Sequence, residues 1–251
     1  MELYYQIIFF IFGSVFGSFF NVVGIRVPES KLFASNRSQC PKCGKQLHWY
    51  ELVPIVSYVI QLGRCKGCRT KISPIYPSIE LFTAILFSLS YTHFGWSIEL
   101  IIALLLVSLS SILIVTDLRY MLIPNKILLF FLPFFIVLRI LSPLDPWWSS
   151  LIGAIIGFVL ISLIILVSKG GMGGGDLKLF VLVGFIVGYE QLLLVFLLST
   201  LLGTLFSGVL LLTKKVNRKS AIPFGPYICI ATLITYFYGT DIINWYITSF
   251  F

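Results

Sequence analysis

The sequence predicts an all-α polytopic membrane protein: about eight transmembrane helices with a small cytoplasmic zinc-ribbon-like insertion. Three observations carry that prediction. The 251 residues are 58% hydrophobic and only 11% charged, with a mean hydropathy of +1.00, whereas soluble domains carry roughly 25% charged residues. Apolar stretches of helical length recur along the whole chain. Every Lys and Arg except Arg139 falls in alternate connecting segments. Such a composition excludes an ordinary soluble protein, a disordered chain and a disulfide-rich secreted module.

A transmembrane helix needs about 20 mostly apolar residues to cross a hydrocarbon core roughly 30 Å thick. Leu3–Ile25, Leu81–His93 (extended back by Glu80 and Pro77), Leu100–Thr116, Ser149–Ser168, Gln191–Thr213 and Ser220–Thr240 fit, and the shorter Ile127–Leu138 and Leu179–Tyr189 bring the count to eight. The first stretch lacks a basic start and a small-residue cleavage site, so it reads as a retained helix, not a signal peptide.

Eight spans put both termini on one side. With the termini outside, segments 26–75, 117–126, 169–178 and 214–219 become cytoplasmic and hold the basic residues, as the positive-inside rule requires. Trp96, Trp147, Trp148 and Trp245 then fall at the outer interface, where amphipathic rings prefer to lie. Topology and contact with anionic membrane lipid account for the net charge of +8, so nucleic acid is not expected as a partner. The chain divides into a first transmembrane helix (1–25), a cytoplasmic four-cysteine domain (26–75) and a transmembrane core (76–251).

The cytoplasmic domain carries Cys40-Pro-Lys-Cys43 and Cys65-Lys-Gly-Cys68, 21 residues apart. Two such knuckles can present four thiolates to one zinc ion. A segment too small to build its own core gains its folding energy from such a metal. A redox pair lacks a surrounding βαβ pattern, and disulfides are disfavoured in a reducing cytoplasm. Four cysteines leave no open position for a catalytic water, so the zinc is structural. Cys229, within the last span, reads as a small buried hydrophobe.

Two acids need explaining. Asp117 ends the third span and Asp176 opens the sixth, 59 positions apart but at the same depth near the cytoplasmic face. The charge-free stretch Leu179–Tyr189 has 11 residues and reaches only ~16 Å. To cross, its helix must draw Lys178 and Asp176 to membrane depth, where a bare ionised Asp costs at least ~2.5 kcal/mol. A polar cavity or a second titratable group is required, and Asp117 is the partner at that depth.

Two carboxyls sharing a proton can hydrolyse a peptide bond without metal: one activates water while the other polarises the scissile carbonyl. The glycines at 170, 171, 173, 174 and 175 would let an extended backbone approach Asp176 closely. The bland alternative is an interfacial Asp117 paired with Arg119 or Lys126, and an Asp176 that merely caps a helix. Glu80 reads as a polar anchor near the inner end of the second span. No H-E-x-x-H, G-x-S-x-G or phosphate-loop pattern occurs.

At these residues the sequence resembles the type IV prepilin peptidases, bacterial inner-membrane aspartic proteases. The likeness is carried by Gly17-Ser-Phe-Phe-Asn21 through Arg26-Val-Pro28, the four cysteines with Leu47-His-Trp-Tyr-Glu51-Leu-Val-Pro54, and Tyr76-Pro77 with Glu80. It continues through Asp117 with Ile123-Pro124-Asn125, Gly173-Gly174-Gly175-Asp176 with Lys178, and Ile222-Pro-Phe-Gly-Pro226. Ile75 stands where the family commonly has arginine.

The resemblance implies that Asp117 and Asp176 are catalytic, that Gly173, Gly174, Gly175 and Lys178 bind substrate, and that residues 76–251 form the protease core. It implies cleavage of a short basic leader from prepilins and pseudopilins at the cytoplasmic face, followed in many members by methylation of the new N-terminus with S-adenosylmethionine. Two other classes compete: a proton-coupled membrane transporter using the two aspartates as a relay, and a non-enzymatic assembly factor docking partners through its ribbon. A relay would stagger its acids across the bilayer.

Overall fold

The structure is a computed structural model, and it describes residues 2–30, 38–40, 42–168, 171–214 and 222–250. Nine α-helices and no strand occur among the described residues: α1 (Glu2–Arg26), α2 (Val56–Ile60), α3 (Ile75–Phe94), α4 (Ile98–Tyr120), α5 (Asn125–Leu141), α6 (Ser149–Val167), α7 (Gly174–Val187), α8 (Tyr189–Leu212) and α9 (Gly225–Phe250). The eight long helices coincide with the eight expected spans. Five of them, α1, α4, α6, α8 and α9, are long and apolar enough to cross a membrane on length and composition alone. The other three are α5 and α7, with 17 and 14 residues, and α3, whose first half holds the buried Glu80. The chain forms two compact units, Met1–Val115 and Thr116–Phe251.

In the first unit α1 lies antiparallel against α3, because glycines spaced four apart let the backbones touch. A Cβ at Gly13 would stand 2.7 Å from Ala84 Cα, and one at Gly17 2.8 Å from Glu80 Cα. One turn further on, Asn21 Nδ2 donates to the Tyr76 carbonyl at 3.1 Å. At the other end Phe9 stacks on Tyr91 with ring centres 5.0 Å apart, and Trp96 closes edge-on against Tyr5. Thr83 and Ser111 share a buried hydroxyl–hydroxyl hydrogen bond of 3.0 Å that ties α3 to α4.

The second unit repeats the device. Gly153 of α6 meets Gly184 of α7 so closely that a Cβ on either would overlap the other's carbonyl, and Gly157 rests on the Phe180 carbonyl. The 14 residues of α7 cover only about 21 Å. Gly188, at φ +84, ends the helix, and α8 starts at the next residue. Arg139 is the exception to the charge asymmetry. It is buried at the end of α5 and its Nε donates to the Ile186 carbonyl at 2.8 Å. A cation beside the last carbonyls of a helix offsets their orphan acceptors and the dipole, and here it lets α7 end early.

Candidate active site

Asp117 stands in the last turn of α4. The helix ends as Met121 takes a left-handed φ of +52 and donates its N–H to the Asp117 carbonyl at 2.9 Å. That turn, sterically unfavourable for a side chain with a Cβ, directs Leu122, Ile123 and Pro124 back toward α5. Asp176 stands in the first turn of α7, whose start is set by Gly173 in an extended conformation. Gly175 comes so near Ile123 that a Cβ there would meet Ile123 Cβ at 3.0 Å. A side chain at 175 would need Ile123 to give way by a few tenths of an ångström.

Both acids line one cavity of about 760 Å³. Gly173, Gly174 and Gly175 form its rim, and Ile164, Phe196 and Phe224 give it apolar walls. Asp117 is only 5% exposed, while Asp176 is half-buried.

Each carboxyl is held at one oxygen by a main-chain amide. Gly225 N–H, at the start of α9, donates to Asp117 Oδ2 at 2.8 Å. Gly173 N–H donates to Asp176 Oδ2 at 3.2 Å. Asp176 thus does cap its own helix, as the bland reading expects, and Asp117 caps a different one, 108 residues away. These capping bonds leave the second oxygen of each acid without a hydrogen bond among the described residues. Capping and chemistry are not exclusive, because each uses a different oxygen.

Gly225 belongs to the family-like segment Ile222-Pro-Phe-Gly-Pro226, but its contact with Asp117 is not expected from the sequence. Its signal is local: Pro226 follows it, and a proline at a helix start has no N–H to offer. The preceding amide is thus the first α9 donor free to point outward. Of the expected substrate residues, Gly173, Gly174 and Gly175 border the cavity. Lys178 lies outside its lining, and its Nζ donates to Asn125 Oδ1 at 2.9 Å, tying the start of α7 to the start of α5.

In the first unit the four expected metal ligands converge. The sulfurs of Cys40, Cys43, Cys65 and Cys68 lie within 4.8 Å of one another, and Cys40 Sγ is 3.8 Å from Cys68 Sγ. Tetrahedral zinc with Zn–S bonds of about 2.3 Å requires sulfurs roughly 3.8 Å apart. The two knuckles have the same wiring. Cys40 N–H donates to Lys45 O and Gly44 N–H to Cys40 O; Cys65 N–H donates to Thr70 O and Arg69 N–H to Cys65 O, all at 2.9 Å. Gly44 and Arg69 take the same left-handed turn position, at φ +69 and +55.

Beside the first knuckle, Glu51 is buried and accepts from His48 N–H at 3.0 Å and Lys45 Nζ at 3.2 Å. The His48 amide, aided by the Lys45 ammonium, holds this carboxyl below the ordinary carboxylate range. The donor set and spacing fit a zinc ion.

Two family models match the chain: the Bacterial Peptidase A24 N-terminal domain over residues 11–94 and the Type IV leader peptidase family over residues 100–208. Among curated relatives, the prepilin leader peptidase/N-methyltransferase of Bacillus subtilis is 43% identical, over 96% of this chain and 97% of the relative. Proteins of the same name from Aeromonas salmonicida and Vibrio cholerae are 32% and 34% identical, each over more than nine-tenths of both chains. No solved structure matches significantly. Near-complete coverage at this identity, together with both domain matches, makes the chain a multi-pass membrane peptidase of the prepilin leader peptidase/N-methyltransferase family.

Proposed function

We propose that the chain is an aspartic endopeptidase of the bacterial cytoplasmic (inner) membrane, in which Asp117 and Asp176 together hydrolyse the bond after the basic leader of type IV prepilins and pseudopilins. The observation that carries this reading is the opening of both carboxyls onto one apolar-walled cavity rimmed by three glycines. The ionised acid takes a proton from water as its oxygen attacks the scissile carbonyl carbon. The protonated acid gives its proton to the carbonyl oxygen, so a neutral tetrahedral gem-diol forms. On collapse the C–N bond breaks, the amine nitrogen receives a proton from the first acid, and a diol proton returns to the second. The pair is thereby restored to one shared proton.

The glycine rim offers main-chain groups without side chains in the way, suited to an extended substrate segment. The walls of Ile164, Phe196 and Phe224 suit the apolar residues of a prepilin helix. The termini lie outside, so that the site faces the cytoplasm, and the four-cysteine cluster holds a structural zinc through Cys40, Cys43, Cys65 and Cys68. N-methylation of the new terminus, with S-adenosylmethionine as donor, follows cleavage.

The test is incubation of purified protein with a synthetic prepilin in detergent, with and without the methyl donor, read by mass spectrometry. Asp117→Asn and Asp176→Asn are each expected to abolish leader removal while the protein remains inserted. Near-normal cleavage by either variant would remove that residue from the chemistry.

A further inference from the structure

Another buried acid, Glu80, has no part in the dyad. Its Oε2 accepts the Ile55 N–H at 2.7 Å. Ile55 itself takes φ +63 and ψ −54, a rare backbone state for a β-branched residue that persists only when surroundings enforce it.

The register of α1 on α3 supplies a depth for this contact. Glu80 faces Gly17, nine residues before the end of α1 at Arg26 and therefore about 13 Å along the helix axis. A helix of 25 residues is about 37 Å long and overhangs a 30 Å hydrocarbon core by about 4 Å at each face. Glu80 and the Ile55 amide then lie roughly 9 Å inside the inner boundary. Non-helical backbone at that depth must find an internal hydrogen-bond partner, and the Glu80 carboxyl is that partner.

The segment that follows is apolar on the outside. Val56, Val59 and Ile60 fall at i, i+3 and i+4 of α2, on one helical face, and are 52%, 63% and 70% exposed; Leu62 is 84% exposed. Ser57 and Tyr58, on the other side, are less exposed than these. Around it, Trp49 and Tyr50 are exposed, with Lys66 Nζ 4.9 Å above the Tyr50 ring. Arg64, Lys66, Arg69 and Lys71 are exposed as well, and the one acid between residues 42 and 75, Glu51, is buried. Apolar side chains flanked by aromatic rings and cations are the pattern of a surface that lies in an anionic headgroup region.

We propose that Val53–Leu62 is a membrane-inserted turn and helix: α2 lies in the inner-leaflet boundary with Val56, Val59, Ile60 and Leu62 among acyl chains, while Glu80 anchors its first amide from α3 and the ribbon's cations meet anionic headgroups. The four-cysteine unit is then a monotopic element seated on lipid, not a free cytoplasmic knob. The inference is independent of the hydrolytic reading.

The test uses the full chain in nanodiscs of phosphatidylcholine and phosphatidylglycerol, with or without acyl-chain bromine. Val59→Trp and, separately, Ile60→Trp add one fluorophore, whose emission is the difference from wild type. Bound zinc in each variant verifies the ribbon. The added emission is expected to be blue-shifted, to fall about twofold in brominated discs and to be insensitive to aqueous iodide. Emission that iodide quenches and bromine leaves unchanged at both positions overturns the proposal. That result also follows if the surface is reserved for a protein partner, because the chain alone would leave it in water. If one variant loses its zinc, the other decides.

Discussion

Replacing Gly225 by alanine isolates the placement of Asp117 from its presence. The added Cβ would stand 2.8 Å from Asp117 Oδ2, 3.1 Å from Cγ and 3.3 Å from Cβ. Ordinary contact begins near 3.4 Å, so the carboxyl oxygen must recede by about 0.6 Å. The 2.8 Å hydrogen bond then stretches beyond the 3.2 Å limit of a good one. A hydrogen bond to a charged group contributes about 1.5–3 kcal/mol, and catalytic groups tolerate displacements of only about 0.5 Å. The expected result is a kcat lower by about 10- to 100-fold with KM little changed. Stability should not fall in parallel. Gly225 is not in the positive-φ region, and alanine is favoured over glycine in a helix by up to about 1 kcal/mol. Prepilin cleavage followed by mass spectrometry gives kcat and KM, and thermal unfolding in detergent gives stability. A kcat within about threefold of wild type would refute the argument that this amide positions the acid, as would a loss of activity that simply tracks unfolding.

Cys65→Ser should release the zinc, about one ion per chain in wild type, whereas Cys229→Ser should leave metal content unchanged; elemental analysis of purified protein reads both. Gly184→Leu forces a side chain into the Gly153 backbone and should destabilise the second unit by about 1–3 kcal/mol or more, measured as a lower melting temperature in detergent. Lys178→Met and Asn125→Ala each remove the same 2.9 Å bond between the starts of α5 and α7, so their effects on cleavage should be equal and not additive. Additive losses with a raised KM for Lys178→Met alone would instead place Lys178 on the substrate.

How much of this was legible in the sequence follows from what hydrophobicity encodes. Along a spanning segment it records position on one axis, the membrane normal. The eight helices were readable for that reason, and the common depth expected of Asp117 and Asp176 rests on the same axis; the structure has both lining one cavity. The short apolar run of the sixth span signalled polar surroundings at its start, and α7 does begin on a cavity.

Lateral neighbourhood is a different coordinate. It is set by close packing at small residues, and a glycine pair marks a contact face without naming what it touches. Gly13 and Gly17 could be seen as a face for a helix, but not as a face for Ala84 and Glu80. The unforeseen contacts all lie in that plane: Gly225 N–H on Asp117, Arg139 on the Ile186 carbonyl, and Glu80 on the Ile55 amide. In each, a charged side chain that sequence reading left at a helix end or interface meets a main-chain group at a turn or a helix terminus. Low-dielectric surroundings make such a group expensive to leave unpaired. A charge that breaks the topological pattern is therefore better searched against helix ends and breaks than against opposite charges, and Arg139 and Glu80 are both resolved that way.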